Sequence, residues 1–176
     1  ATFTRGGKGY AGGDAAPFAG AKPPLALAKL NRSAGVYATE GSMVVLPGQP
    51  AVKITGTDAF ATRFGGMVLH GHTEGAAEGL PGQYVGEVYW GHDAKQDCLV
   101  GVYVSNMGEA MTMQARWTAD GRLLATTAAL SQGQPMVQRM LMDFTDGGAA
   151  KGAVAHSILG TAAPFESFRA TYTPKK

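Results

Sequence analysis

The chain has 176 residues, of which 45% are hydrophobic and 16% are charged, a balance that is typical of one folded domain and excludes a disordered protein. The formal net charge is +2 and the charges are scattered, so no basic patch indicates nucleic-acid binding. The single cysteine, Cys98, excludes an intramolecular disulfide, and no apolar run approaches the ~20 residues of a membrane-spanning helix.

Residues 1–24 differ in composition from the rest of the chain. They are rich in Gly, Ala and Pro without a period of 2 or 3.6, which predicts a flexible arm before a folded domain of residues 25–176. Such an arm becomes ordered when something holds it, and we expect Tyr10 and Phe18 to anchor it on the domain or on a partner protein. The start at Ala1 resembles a mature chain after signal-peptide removal, which favours a bacterial protein exported to the periplasm or beyond.

A short helix and ten strands are predicted after the arm. Pro24–Leu30 predicts the helix, because Pro suits a first turn and good helix formers follow it. Runs of alternating apolar and polar residues then recur between turn signals such as Ala119-Asp120-Gly121. The predicted strands are, in order, Gly35–Val45, Ala51–Arg63, Met67–Glu74, Gln83–Gly91, Cys98–Ser105, Ala110–Thr118, Arg122–Leu130, Met136–Phe144, Ala153–Leu159 and Phe165–Thr173.

The number and spacing of these strands predict the fold. Consecutive short strands with hairpin-length links favour a single antiparallel up-and-down sheet. A sheet of about ten strands closes on itself to remove its edges, so the sequence predicts an all-β barrel preceded by a short N-terminal helix. A closed barrel of this size can hold one small ligand.

The alternation also predicts which side chains point into the barrel, because successive residues of a strand face opposite sides. The predicted inward residues are Val52, Ile54 and Phe60 in the second strand, Tyr84, Val88 and Trp90 in the fourth, Met111, Met113, Ala115 and Trp117 in the sixth, and Met136, Gln138, Met140 and Met142 in the eighth. An interior rich in Met and Trp suits both ordinary core packing and an adaptable pocket. The residues predicted to line a site for a small apolar ligand are Tyr84, Trp90, Met111, Met113, Trp117 and Met140.

The sequence shows no catalytic constellation. His70 and His72 project from one face of a strand, a geometry that can chelate a metal. Met67 and Leu69 occupy the opposite, apolar face, so we expect the two imidazoles to face solvent instead. No paired carboxylates and no nucleophile motif stand out. The sequence therefore predicts a protein that is not an enzyme and that holds no metal or cofactor.

Several short phrases of the chain resemble one protein family. They are Gly35-Val36-Tyr37, Pro47–Pro50, Thr55-Gly56-Thr57, Gly65-Gly66, Gly91–Lys95, Leu99–Tyr103, Ser105–Gly108 and the final stretch from Phe168. Through them, residues from about Leu25 to Lys176 resemble an uncharacterised bacterial family of domains of unknown function with a calycin- or lipocalin-like β-barrel. The resemblance implies the barrel and the leading helix. Because the family has no established reaction, the resemblance implies no catalytic residue.

Two departures and one further candidate accompany the resemblance. Calycins commonly carry Gly-x-Trp where this chain has Tyr37, and a Tyr is usual in the family at the position of His92. A related barrel group binds haem through a histidine near the C-terminus. His156 is the candidate for that role here, and the sequence around it matches poorly.

Two functional hypotheses follow. The first is a non-enzymatic, exported, lipocalin-like barrel that binds a small apolar molecule. The alternative is a structural or accessory subunit that docks through residues 1–24 on the periplasmic side of a larger, possibly membrane-bound, protein complex.

Overall fold

The computed structural model describes residues 20–79, 81–131, 133–144 and 148–176. Over these residues the chain forms one short α-helix, α1 (Leu25–Leu30), and ten β-strands. The strands are β1 (Gly35–Met43), β2 (Val52–Arg63), β3 (Val68–Ala77), β4 (Tyr84–Asp93), β5 (Cys98–Ser105), β6 (Ala110–Trp117), β7 (Leu123–Ser131), β8 (Gln134–Asp143), β9 (Gly152–Leu159) and β10 (Phe165–Pro174). The predicted all-β class, the ten strands and the leading helix are confirmed.

The strands form a closed antiparallel barrel in which every strand pairs with its neighbours in the chain. The first and last strands close the sheet through seven residue pairs, from Tyr37 opposite Pro174 to Met43 opposite Phe168. Closure pairs the backbone groups that an open sheet would leave at its two edges. The predicted up-and-down barrel is thus confirmed in its connectivity.

The third strand is longer than its sequence predicts. The Gly-rich segment after Glu74 is predicted as a loop, yet β3 continues to Ala77. The reason is the partner strand: Gly75 and Ala77 pair with Gly56 and Ile54 of β2, so the ladder overrides the poor strand propensity of glycine.

Helix α1 closes one end of the barrel. Its Leu27 and Leu30 are buried in the same core cluster as Leu69, Trp90 and Leu99, which lie on β3, β4 and β5. We call this the helix end; the turns at residues 64–67, 94–97 and 118–122 lie there. The opposite, open end carries the loops at residues 44–51, 106–109 and 160–164. Within the described ranges, no helix is long and apolar enough to cross a membrane.

Aromatic rings lie against inward-facing glycines in the first half of the barrel. A Cβ atom built at Gly71 would lie 2.6 Å from the ring of Phe60, and one built at Gly101 would lie 2.8 Å from the ring of Trp90. Each glycine therefore leaves the space that one ring occupies. This arrangement lets bulky rings pack flat on the inner wall without pushing neighbouring strands apart.

Replacing Gly101 with Ala tests this packing. The added methyl overlaps the buried ring of Trp90, so we expect Gly101→Ala to lower the free energy of unfolding by about 1–3 kcal/mol. Urea denaturation followed by tryptophan fluorescence measures the change. The matched control is Gly91→Ala on β4, where a Cβ meets no atom within 4 Å. Wild-type stability in the Gly101 variant would contradict the proposed packing.

Candidate functional site

Two of the six predicted ligand-lining residues, Tyr84 and Met111, lie towards the open end, and two more, Met113 and Met140, pack against the core cluster from inside the barrel. Tyr84, Met111, Met113 and Met140 all occupy inward positions and remain partly exposed rather than buried. Met113 lies between Gly101 and Thr127 on the flanking strands. Met140 likewise lies between Ala125 and Ala155, so small neighbours leave these two flexible side chains room to change conformation. Met111 lies opposite Tyr103 instead. Their role in ligand binding stays a prediction.

The other two predicted lining residues, Trp90 and Trp117, lie at the helix end. Trp90 is 5% exposed within the core cluster, and Trp117 packs against that cluster. The Trp117 Nε1–H donates a 3.0 Å hydrogen bond to the carbonyl oxygen of Ala26 in α1, and the Lys29 ammonium lies 4.0 Å from the centre of its ring. Trp117 therefore fixes the helix on the barrel. No observation here tests a contact of either Trp with a ligand.

A carboxylate, Asp58, lies inside the barrel midway along β2. It is 6% exposed and stands between Tyr37 on β1 and Thr73 on β3 in the strand register. Its two oxygens accept one hydrogen bond each, from the hydroxyls of Thr39 and Thr73. Three neighbouring strands thus contribute to one buried polar group.

Two tyrosines adjoin this carboxylate. The ring of Tyr103 lies over Gly86, which is the residue opposite Thr73, and Tyr172 is opposite Thr39. Burial raises the pKa of both phenols well above the ordinary value; the negative charges of Glu109 and then Asp58 add to the effect at Tyr103, and that of Asp58 adds to it at Tyr172. Both hydroxyls therefore stay protonated at neutral pH and can donate hydrogen bonds.

A second polar group lies on β8, β9 and β10, which follow β1 around the barrel. The hydroxyls of Ser157 and Ser167 lie 2.7 Å apart, and the Gln138 amide donates to Ser157 at 3.2 Å. Both serines lie at the β9–β10 ladder, where a bulge between Glu166 and Phe168 shifts the register. The interior is therefore not uniformly apolar: besides the groups at Asp58 and Ser157, the buried Thr127 hydroxyl donates to the carbonyl oxygen of Thr112.

Among the described residues, the ten strands present no Lys or Arg side chain to the interior near Asp58. Every Lys and Arg on the ten strands occupies an outward position: Lys53, Arg63, Arg116, Arg139 and Arg169. The inward histidine, His92, lies near the helix end and bonds to Asp97 through Nε2 at 3.2 Å. The middle of the interior is consequently negative.

The search for ligand-lining residues in the sequence missed Asp58, although the alternation contains the signal. Val52, Ile54 and Phe60 are predicted to face inward, and Asp58 has the same parity. An isolated acid on an otherwise apolar strand face is a candidate for function, because burying an unpaired carboxylate is unfavourable. Its partners Thr39 and Thr73 could not be found this way, since they depend on strand register.

His70 and His72 lie on the outer face of the barrel. Both imidazoles contact the same carboxylate, Glu87 on β4: His70 through Nε2, and His72 through Nδ1 at 2.6 Å. His72 also reaches Glu74 at 3.0 Å, and the His70 ring stacks on Tyr89 with centroids 4.7 Å apart. Among the residues described, no group of three or more His, Cys, Asp or Glu side chains is arranged to hold a metal ion.

The remaining sequence candidates do not enter the interior. His156 is exposed on the outer face of β9, where it is paired with Arg139 and Glu166 in the register. A haem inside the barrel could not be held by an outward imidazole. Tyr10 and Phe18 of the arm lie outside the described residues, so their predicted anchoring role stays a prediction.

Two small pockets lie near the helix end. One, of about 30 Å³, lies under α1 between Leu30, Phe60, Trp90 and Tyr172, and it has room for about one water molecule. A second, of about 150 Å³, opens to the surface beside Lys29, Arg32 and Trp117. The first is too small for an organic ligand.

The sequence profile of one family, described as "Protein of unknown function (DUF1579)", matches residues 25–155 of the chain. The match begins at α1 and ends within β9, so it covers the helix and most of the barrel wall. No curated protein matches the chain significantly.

The cluster of His70, His72, Glu74 and Glu87 on the outer face predicts that the stability of the fold depends on pH. Hydrogen bonds to Glu74 and Glu87 raise the pKa of His72 above 6.5. Burial acts to raise the pKa of Glu87, but hydrogen bonds from His70 and His72 outweigh it and leave that pKa below its ordinary value. The stabilisation from His72 is therefore complete below pH 6.5 and is lost as the pH rises through the raised pKa.

An NMR titration of the His72 ring measures this pKa directly. We expect a midpoint above 6.5 in the wild type and a lower one in Glu87→Gln, which keeps only the Glu74 partner. His72→Gln should flatten the fall of the unfolding free energy above neutral pH. The control His156→Gln, on an exposed site of the same outer surface, should leave that fall intact. An unshifted midpoint in the wild type would refute the coupling.

Proposed function

Because this chain belongs to the DUF1579 family of proteins of unknown function, we propose a function from its own geometry: it binds a small, mainly apolar molecule inside the open half of the barrel. The closed barrel is an observed feature of the structure. Ligand binding is the step beyond it, and four side chains of the inner wall form the proposed contact surface: Tyr84, Met111, Met113 and Met140.

The partial exposure of inward side chains carries this proposal. Tyr84 and Met111 lie inside the closed wall at the open end, yet solvent reaches both, whereas Leu99 and Leu123 at the helix end are fully buried. A barrel interior that is packed throughout would bury all four alike. The difference supports a space that is accessible from the open end, beyond the core cluster under α1.

The lining chemistry supports a molecule with a large apolar part. Thioethers and aromatic faces give dispersion contacts without demanding hydrogen bonds, and Met adapts to ligands of different shape. The polar groups at Asp58 and Gln138 are few and localised. Small-molecule sites are usually built this way: apolar side chains supply most of the contact area, and a few polar groups fix the orientation of the ligand.

The proposal is binding rather than catalysis. Asp58 contacts two threonine hydroxyls, and Ser157 contacts a serine and an amide. Neither has a histidine or a second carboxylate among its described partners to act as base or acid. Export of the protein and docking through residues 1–24 stay predictions of the sequence.

Filling the proposed space tests the function. We expect the intact protein to bind the neutral probe N-phenyl-1-naphthylamine with a rise in its fluorescence. Met111→Trp places a bulky ring in the open half and should weaken binding at least about tenfold, equal to ~1.4 kcal/mol. The matched control, Thr112→Trp, adds the same ring at the next residue, which is exposed on the outer face.

Circular dichroism establishes that both variants keep the β-fold. Equal loss of affinity in both variants would place the probe on the outer surface and contradict the proposal. So would a wild-type protein that fails to bind the probe.

A further inference from the structure

The buried carboxylate of Asp58 has only neutral partners among the described residues. Thr39 donates to one oxygen and Thr73 to the other, both through hydroxyls. A carboxylate can accept about four hydrogen bonds, so two such donors leave acceptor directions open. Neutral donors also leave the negative charge uncompensated.

Removing a carboxylate from water is unfavourable unless an opposite charge or several donors replace the lost hydration. Asp58 keeps 6% exposure, so little water remains around it. Within the described part of the chain, no Lys or Arg side chain forms an ion pair with it, and the strands present none to the interior. The cation that would complement this site is therefore missing from the inner wall.

The surroundings of Asp58 favour a small cationic group over a second anion. Tyr103 and Tyr172 bring two neutral phenols near the carboxylate, and their rings can attract a cation that reaches the ring face. Met113 lies on β6, which is separated from β4 by β5, and its side chain supplies apolar surface inside the same barrel. An amphiphilic molecule can contact both regions at once.

We propose that the ligand of this barrel carries a cationic nitrogen, an amine or an ammonium group, which Asp58 binds while the apolar part of the ligand lies against the Met-lined wall. This inference rests on the proposed ligand-binding function and specifies the chemical class of the ligand. The ammonium hydrogens would donate to the free acceptor directions of the carboxylate. A fatty acid of the same length would instead bring a second negative charge beside Asp58, so the site should discriminate against it.

Displacement of N-phenyl-1-naphthylamine by three chain-matched competitors tests the inference on the wild-type protein. The competitors are dodecylamine, dodecanol and dodecanoate, each below its micelle concentration at pH 7. We expect dodecylamine to displace the probe at a concentration at least about tenfold lower than dodecanol, with dodecanoate the weakest.

The variant Asp58→Asn keeps the shape of the side chain and removes its charge. We expect it to abolish the preference of the amine over the alcohol while the alcohol still displaces the probe. The matched control is Glu40→Gln, which removes one negative charge from the exposed outer face of β1, next to Thr39. That control should keep the amine preference, because bulk water and the barrel wall screen its charge.

The outcomes separate the two proposals. Probe binding with equal displacement by amine and alcohol overturns the cationic ligand and leaves the binding function standing. A preference that survives in Asp58→Asn also overturns it, since another group would then bind the amine. Absence of probe binding to the wild type overturns both. If Asp58→Asn does not fold, the wild-type comparison of the three competitors still decides.

Discussion

The seam between β1 and β10 is the contact on which the rest of the barrel depends, because it joins the two strands that are farthest apart in the chain. The backbones approach so closely there that a Cβ at Gly41 would lie 2.8 Å from the Cα of Ala170. Hydrogen bonds from Val44 to Ser167 and from Lys175 to Val36 extend the ladder beyond both strand ends. Only glycine at position 41 permits this approach, and without it the sheet would have two open edges.

The seam also builds the candidate site. β1 carries Thr39, which donates to Asp58, and β10 carries Tyr172, which lies opposite Thr39 across the seam. An open sheet would separate the phenol from the carboxylate and expose both to water. The buried polar group therefore depends on closure, because the same ladder that removes the sheet edges also encloses Asp58. This coupling makes the interior chemistry sensitive to changes at the seam.

The sequence predicts the faces of the strands better than their heights along the barrel. Alternation alone identifies the inward sides of β4 and β6, and turn residues such as Asp120-Gly121 mark the hairpins. The alternation cannot show that Trp90 and Trp117 lie at the helix end while Met111 lies towards the open end. That difference depends on strand register and on where α1 docks, and both are set by contacts between distant residues. Asp58 has inward parity, but its hydroxyl partners lie on other strands.

Carboxylates on the outer and inner faces of the barrel have different hydrogen-bond partners. Outside, Glu87 receives two imidazoles from β3 and remains in contact with water. Inside, the partners of Asp58 among the described residues are hydroxyls, one of them from Thr73, the residue directly after His72 on that same strand. Because successive side chains of β3 point to opposite faces, the imidazole that balances Glu87 cannot turn inward to pair with Asp58. The alternation that creates the apolar interior thus also keeps every strand-borne cation out of it, and in the proposed complex the balancing charge enters with the ligand through the open end.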